Sequence, residues 1–123
     1  MKSLQVNLIE AGDEVTLQGA SLLLDNLAGM NRLEHVNWGA YPYKPKVEFR
    51  IGHTDDMVLL KFYVEEKTVR AEETQINGEV FKDSCVEFFL SVDGRNYYNF
   101  EFSCIGTPHV GWGEGRQGRQ HLP

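Results

Sequence analysis

The sequence predicts a mainly β fold, an antiparallel β-sandwich of the jelly-roll or immunoglobulin-like kind, with one short helix near the N-terminus. Three observations support this prediction. Apolar and polar residues alternate with a period of two from Lys46 onward. Asp93-Gly94 separates two alternating runs, which is a strong local signal for a β-hairpin. Leucines recur at helical spacing within residues 18–35.

The N-terminal third is predicted to contain a short strand, a helix and a connector. Residues 4–9, LQVNLI, alternate as a short edge strand does. Residues 18–35 form the helical region, in which Ser21 is a candidate N-cap and Gly29 ends the helix. The prolines of YPYKP, residues 41–45, require an extended connector that carries Tyr41 and Tyr43.

The sheet core is predicted to span residues 46–106 and to consist of two hairpins. KVEFRIGH and MVLLKFYVEE form the first, because GHTDD between them supplies turn residues. A three-residue loop at Asp93-Gly94-Arg95 closes the second, in which Phe88 lies opposite Phe100. Residues 107–123 contain four glycines and few apolar side chains, so a Gly-rich connector or tail is predicted there. With 123 residues, the chain is predicted to form one domain.

Strand alternation divides the second hairpin into two faces. The face predicted to build the core comprises Val86, Phe88, Leu90, Phe100, Phe102 and Cys104. The opposite face is predicted to comprise Cys85, Glu87, Phe89, Asn99, Glu101 and Ser103. Because the register places Glu87 opposite Glu101, two carboxylates repel each other there unless a cation, a ligand's hydroxyl groups or a basic side chain compensates them.

Composition excludes several classes of partner. The formal net charge is -6 and no run of Lys and Arg forms a basic stripe, which disfavours nucleic acid and anionic membrane surfaces. No apolar run approaches the length that crosses a bilayer. The N-terminus lacks the apolar core of a signal peptide, so the chain is expected to be cytoplasmic as given, or periplasmic or extracellular if a leader was removed.

Polar side chains of the two hairpins supply the candidate site. The interpretation without a binding function is a solvated sheet face with ordinary cross-strand ion pairs. The alternative is a surface for a neutral polyhydroxyl ligand, since sugars need hydrogen-bonding groups beside an aromatic plate. The candidate polar residues are Arg50, Lys61, Glu87, Asn99 and Glu101.

Other chemistry is less well supported by the sequence. Paired carboxylates also occur in glycoside hydrolases, so a hydrolase is kept as a third hypothesis. The histidines are scattered, and no cysteine spacing indicates a zinc or dithiol motif. No cofactor is predicted, although Asp55 and Asp56 in the first turn make calcium conceivable. A structural or assembly module that docks a protein partner through its sheet is the second hypothesis.

Three segments carry a family resemblance. VLLKFYVEE, VFKDSCVEFFLSVDG and YYNFEFSCIGT resemble the sheet core of family 9 carbohydrate-binding modules and their bacterial relatives, over roughly residues 20–119. The most specific part is an aromatic residue five positions before Val-Glu, here Phe81 before Val86-Glu87. The resemblance implies a β-sandwich that binds mono- or oligosaccharides without catalysis and accompanies enzymes of polysaccharide degradation; some members hold structural calcium.

The resemblance also implies roles for individual residues. Phe81 takes the place of a tryptophan that stacks on the sugar ring. Glu87 matches a carboxylate that hydrogen-bonds sugar hydroxyls. Glu101 falls where the family can place a polar ligand contact, although the residue type differs. Asn99, Lys61 and Arg50 are their candidate neighbours.

Length is a departure from the family pattern, whose domains run well beyond 123 residues. The chain is therefore expected to be the N-terminal portion of such a domain. Half a sandwich would expose an apolar sheet face and open edges, which predicts a possible homodimer or domain swap.

Overall fold

The computed structural model describes residues 3–12, 15–33 and 45–121. Its strands are β1 (Asn7–Leu8), β2 (Asn31–Leu33), β3 (Lys46–His53), β4 (Val58–Glu65), β5 (Cys85–Leu90), β6 (Tyr97–Ser103), β7 (Pro108–Gly113) and β8 (Gln120–His121). The helix α1 spans Leu17–Asp25, and a 3₁₀ turn spans Val80–Lys82. The mainly β prediction is confirmed. The connector predicted at Tyr41 and Tyr43 lies outside the described residues.

Two compact units, residues 1–67 and 68–123, are found where the sequence analysis expected one domain. Each unit contains one sheet, and the strands of each sheet come from a contiguous part of the chain. Strand pairing therefore remains local within each unit.

The first unit is built around β3. The strand β4 pairs with it antiparallel from Lys46↔Glu65 to His53↔Val58, which confirms the first hairpin. The other edge of β3 is shared by β2, antiparallel, and β1, parallel. The predicted edge strand thus exists as two residues, but its parallel pairing differs from the antiparallel prediction. A parallel neighbour needs a crossover connection, and α1 lies within that connection.

The helix is shorter than the predicted helical region, residues 18–35. Thr16, not Ser21, is the N-cap, and its Oγ1 accepts a hydrogen bond from Gly19 N at 3.0 Å. The helix ends at Asp25, and Gly29 then adopts a φ of +88°, which turns the chain into β2. Within the described residues, no helix is long and apolar enough to span a membrane.

The core of the first unit lies between α1 and the sheet. Ile9, Leu24 and Leu59 are buried together, and Ala20, Leu23 and Leu27 pack against them. Leu59 belongs to the β4 face that also carries Lys61 and Tyr63, by strand alternation. The helix therefore covers the face that the sequence analysis expected to present Lys61 to a ligand. Gly52 permits this packing, because an added Cβ would overlap the Ile9 side chain.

The second unit is an antiparallel sheet of order β5-β6-β7-β8. The predicted register is confirmed, with Phe88↔Phe100, Val86↔Phe102 and Glu87↔Glu101 as partners. The hairpin loop is fixed by Asp93, whose Oδ1 accepts from Arg95 N and Asn96 N at 2.8 Å each. Gly94 supplies a φ of +76°, which side-chain-bearing residues rarely adopt.

The prediction that residues 107–123 form a connector or tail is wrong. Residues 108–113 form β7, which pairs with β6 from Tyr97↔Gly113 to Phe102↔Pro108. The strand β8 then pairs with β7 at Gly111 and Trp112. The glycines do not prevent pairing, since backbone groups alone make the ladder, and they leave room on one face for a long side chain.

The loop before β5 protects part of the β7 edge. Val110 N donates to Asn77 Oδ1 at 2.8 Å, and Asn77 N donates to Pro108 O at 2.9 Å. Asn77 adopts a φ of +63°, a conformation that Asn tolerates better than most residues. The loop therefore covers the stretch of β7 that β8 does not reach.

Candidate functional site

One face of the second sheet collects the polar side chains of β5 and β6. Strand alternation puts Glu87 and Phe89 of β5 on the same face as Tyr97, Asn99 and Glu101 of β6. We refer to these five residues as the acidic face. The register of the hairpin, fixed by its Asp-Gly loop, brings Glu87 opposite Glu101 and Phe89 opposite Asn99.

Two polar side chains of the acidic face are buried without full hydrogen bonding. Asn99 is 2% exposed and Glu101 is 7% exposed. Asn99 Nδ2 donates to Glu101 Oε1 at 3.1 Å, but Asn99 Oδ1 and Glu101 Oε2 have no hydrogen-bond partner. Buried polar atoms are usually paired, and an orphaned acceptor costs free energy. These two oxygens can therefore gain from any donor that reaches them.

Glu87 contacts Glu101 from the exposed side of the pair. Burial of its carboxyl group raises the pKa of Glu87 above its ordinary value, and the negative charge of Glu101 and a hydrogen bond with Glu101 raise it further. Arg119 and Arg116 act in the opposite direction, to a smaller extent. Two carboxyl groups that face each other across a strand pair favour protonation of one of them. The pair is thus a place where a proton, or another donor, is stabilised.

The substitution Glu87→Gln is expected to raise the free energy of unfolding at neutral pH. The folded-state pKa of Glu87 exceeds its ordinary value of 4.5, so the folded chain binds more protons than the unfolded chain between those two values. The free energy of unfolding therefore falls as pH rises through that window. Gln donates to Glu101 at every pH, which should add about 0.5–1 kcal/mol at pH 7 and remove this part of the pH dependence.

Urea unfolding monitored by circular dichroism at a series of pH values measures both effects. The exposed Glu72→Gln is the control, because Glu72 pairs only with the exposed Arg70 among the contacts that the structure records, at 3.0 Å. Equal pH profiles for wild type and Glu87→Gln would show that the two carboxyl groups do not share a proton.

Arg119 extends the acidic face on the β7 side. Its side chain crosses the face at Gly111, where an added Cβ would lie 3.1 Å from Arg119 Cδ. Its Nη2 donates to Tyr97 Oη at 2.7 Å, and its guanidinium carbon lies 5.1 Å from the centre of the Tyr97 ring. Its Nε donates to Gly115 O at 3.1 Å. Arg119 therefore holds Tyr97 in place and brings a positive charge to the face.

Sequence reasoning missed Arg119 as a site residue because residues 107–123 were interpreted as a connector. Tyr97 was missed with it, because its side-chain partner is Arg119. A usable signal was present in PHVGWG, where His109, Gly111 and Gly113 alternate with Val110 and Trp112.

Aromatic and imidazole rings surround the carboxylates. Phe89 is 52% exposed, and its ring centre lies 5.8 Å from that of Tyr97. His109, the β7 partner of Glu101, lies 4.8 Å from His121 in an edge-on arrangement. His109 Nδ1 donates to Gly78 O at 3.0 Å, which ties the strand to the preceding loop. Phe89 thus offers an exposed apolar plate on the same face as the hydrogen-bonding groups.

Phe81 lies on the 3₁₀ turn and is 59% exposed. The neighbouring Val80 is fully buried and anchors the turn, while Lys82 Nζ lies 6.0 Å from the centre of the Phe81 ring. An exposed ring on an anchored turn suits the predicted stacking role. That role stays a prediction.

Arg50 and Lys61 belong to the first unit and are engaged by α1. Lys61 Nζ donates to Asp25 Oδ1 at 2.9 Å and to Ser21 Oγ at 2.6 Å. Arg50 Nη1 donates to Asp25 O at 3.0 Å and to Tyr63 Oη at 3.3 Å. Hydrogen bonds from Tyr63 and then Lys61 hold the pKa of Asp25 below its ordinary value. These contacts dock the helix, whereas Glu87, Asn99 and Glu101 meet in the second unit.

The turn at Asp55 and Asp56 is organised by Thr54. Thr54 Oγ1 accepts from Met57 N at 3.1 Å and donates to Asp56 Oδ1 at 3.2 Å. Within residues 3–12, 15–33 and 45–121, no three His, Cys, Asp or Glu side chains cluster as metal ligands do.

The fold defines a class of protein. Its mainly β, sandwich-like architecture of two sheets and one helix matches the fold of a carbohydrate-binding module. The chain belongs to carbohydrate-binding family 9, whose model matches residues 18–123. The family resemblance and the sandwich-like class predicted from the sequence are both confirmed.

A solved structure supports the same assignment. It is the crystal structure of a protein from Bacteroides uniformis ATCC 8492, described as a "putative carbohydrate-binding protein". The two chains are 40% identical, with a TM-score of 0.92 over 99% of the present chain. The present chain spans 57% of the length of that protein. No curated protein gives a significant match.

Proposed function

We propose that the chain binds mono- or oligosaccharides through the acidic face, without catalysing a reaction, as a module that serves polysaccharide degradation. The observation that carries this proposal is the pair of buried, unpartnered acceptors, Asn99 Oδ1 and Glu101 Oε2. Sugar hydroxyl groups are donors that can satisfy such atoms. Glu87 is exposed and can move aside as a ligand enters, so its carboxylate becomes a further acceptor.

Aromatic rings supply the second requirement of sugar recognition, an apolar plate for the C–H face of the ring. Phe81 is the platform that the family resemblance implies, and Phe89 is a second exposed ring on the acidic face itself. Tyr97, fixed by Arg119, flanks Phe89.

Family membership favours binding over glycoside hydrolysis. The family whose model matches residues 18–123 is a carbohydrate-binding family. A non-catalytic binding function therefore fits the chain better than hydrolysis.

Titration calorimetry with a panel of mono- and oligosaccharides tests the proposal. Phe89→Ala and Phe81→Ala are each expected to weaken binding at least about fivefold, since stacking on an aromatic ring contributes on the order of 1–3 kcal/mol. Phe102→Ala is the matched control, because Phe102 is a comparably exposed phenylalanine, at 41%, on the opposite face of the same sheet.

Retained affinity in both Phe81→Ala and Phe89→Ala would remove the stacking role. An absence of binding to every sugar of the panel by the wild-type chain would overturn the proposal as a whole. If only Phe102→Ala changed the calorimetric signal, and the change did not depend on the sugar, a protein-docking module would be favoured instead.

A further inference from the structure

The acidic face has a surplus of hydrogen-bond acceptors. Asn99 Oδ1 and Glu101 Oε2 are unpartnered, and Glu87 adds a carboxyl group that contacts Glu101. The nearest donor, Asn99 Nδ2, is already bonded to Glu101 Oε1. Arg119 donates its Nε and Nη2 to Gly115 O and Tyr97 Oη. A ligand for this face must therefore bring donors.

The acidic face also has an excess of negative charge at the carboxylate pair, Glu87 and Glu101. Glu87 and Glu101 face each other in register, so ionising both brings two negative charges into contact. Arg119 and Arg116 compensate the pair from a distance. Further titratable groups on this face are the Cys85 thiol, the imidazoles of His109 and His121 and the phenol of Tyr97. Burial and this repulsion both raise the pKa of Glu87, and protonation of Glu87 relieves the repulsion.

We propose that the ligand carries a primary ammonium group, which lies between the facing carboxylates of Glu87 and Glu101, so that the preferred sugar is a 2-amino-2-deoxy hexose with a free amine. This inference rests on the proposed sugar-binding function. An ammonium group has three N–H donors and one positive charge. It can thus serve both carboxylates and Asn99 Oδ1 together, with charge-assisted hydrogen bonds.

The same geometry predicts which related sugars bind less well. A neutral hexose hydroxyl supplies one donor and leaves the carboxylate repulsion in place. An N-acetylated amine supplies only one N–H donor. It also adds a carbonyl oxygen, a hydrogen-bond acceptor that would lie beside the acceptor oxygens of the face. A uronic acid adds a third negative charge. Discrimination of this kind arises from the unfavourable contacts of the wrong ligand as well as from the favourable contacts of the right one.

Calorimetric titration with glucosamine, glucose, N-acetylglucosamine and glucuronate tests the inference. At a pH where the sugar amine is protonated, glucosamine is expected to bind at least about tenfold more tightly than glucose, and glucuronate not at all. In the pH range where Glu87 is partly protonated, repeating the titration in buffers of different ionisation enthalpy should show net proton release with glucosamine, because the ammonium group favours the ionised carboxylate. Ethanolamine, an amine without a sugar ring, should bind at least about tenfold more weakly than glucosamine.

Glu87→Gln isolates the carboxylate pair. This variant is expected to bring the affinities for glucosamine and glucose within about twofold of each other and to abolish proton release. Glu72→Gln removes one exposed carboxylate in the same unit and should preserve the preference.

The outcomes separate the two proposals. Glucose binding as tight as glucosamine binding would overturn the amino-sugar preference and leave the sugar-binding function standing. Ethanolamine binding as tight as glucosamine binding would overturn it too, since the pair would then be a general cation site. An absence of binding to all four sugars would remove both proposals.

Discussion

Leu24→Ala is expected to lower the free energy of unfolding of the first unit by about 2–5 kcal/mol, the range for truncating a fully buried leucine. Leu24 is 2% exposed and packs with Ile9 and Leu59, which are the other buried members of its cluster. The described core of this unit is small, so its surroundings contain few side chains that could close the cavity. Urea unfolding monitored by circular dichroism measures the change.

Leu22→Ala is the matched control for this substitution. Leu22 lies on the same helix and is 59% exposed, so the same truncation there should change stability by less than about 0.5 kcal/mol. Equal effects of the two substitutions would contradict the placement of α1 over Leu59.

Asp83→Ala is expected to destabilise the second unit by about 2–4 kcal/mol and to weaken sugar binding. The Asp83 side chain is 2% exposed, and its Oδ2 accepts from Glu72 N at 2.9 Å and from Glu73 N at 2.7 Å. Alanine leaves both partly buried N–H groups without an acceptor, at about 1–3 kcal/mol each. The next residues before Asp83 form the turn that carries Phe81, so the ring loses its fixed position.

Asp83→Asn separates the hydrogen bonds from the charge. Asparagine keeps one carbonyl oxygen, which can accept from both N–H groups, and should therefore recover most of the lost stability. Arg70 Nε, 3.5 Å from Asp83 Oδ1, loses an ion-pair partner in both variants. If Asp83→Asn were as unstable as Asp83→Ala, the ion pair rather than the backbone bonds would hold the loop.

Much of the second sheet could be predicted from its sequence because the determining signals are local. Asp93-Gly94 sets the loop, and alternation then fixes the register that brings Glu87 opposite Glu101. The strand β7 was missed because Gly111 and Gly113 stand where alternation would otherwise show side chains. A Cβ at Gly111 would crowd Arg119, whose Cδ would lie 3.1 Å away, and that is a tertiary relation absent from the local pattern.

The contacts of Lys61 and Arg50 with α1 could not be predicted for a different reason. Strand alternation correctly separates the two faces of the first hairpin, but it does not say which face a helix covers. In the folded chain, the carboxylate and backbone carbonyl of Asp25 accept hydrogen bonds from both cations. These contacts join the end of the helix to the strands, and the local alternation pattern contains no signal for them.

Asn77 has a consequence for solubility. A strand with a continuous row of unpaired backbone groups is a template for another chain, and repeated pairing of this kind leads to aggregation. On the outer edge of β7, β8 pairs with Gly111 and Trp112, while Asn77 occupies Val110 N and Pro108 O. A foreign strand must therefore displace a loop residue before it can extend the sheet from this side. Asn77, in a left-handed conformation, thus protects this part of the β7 edge from pairing with a strand of another chain.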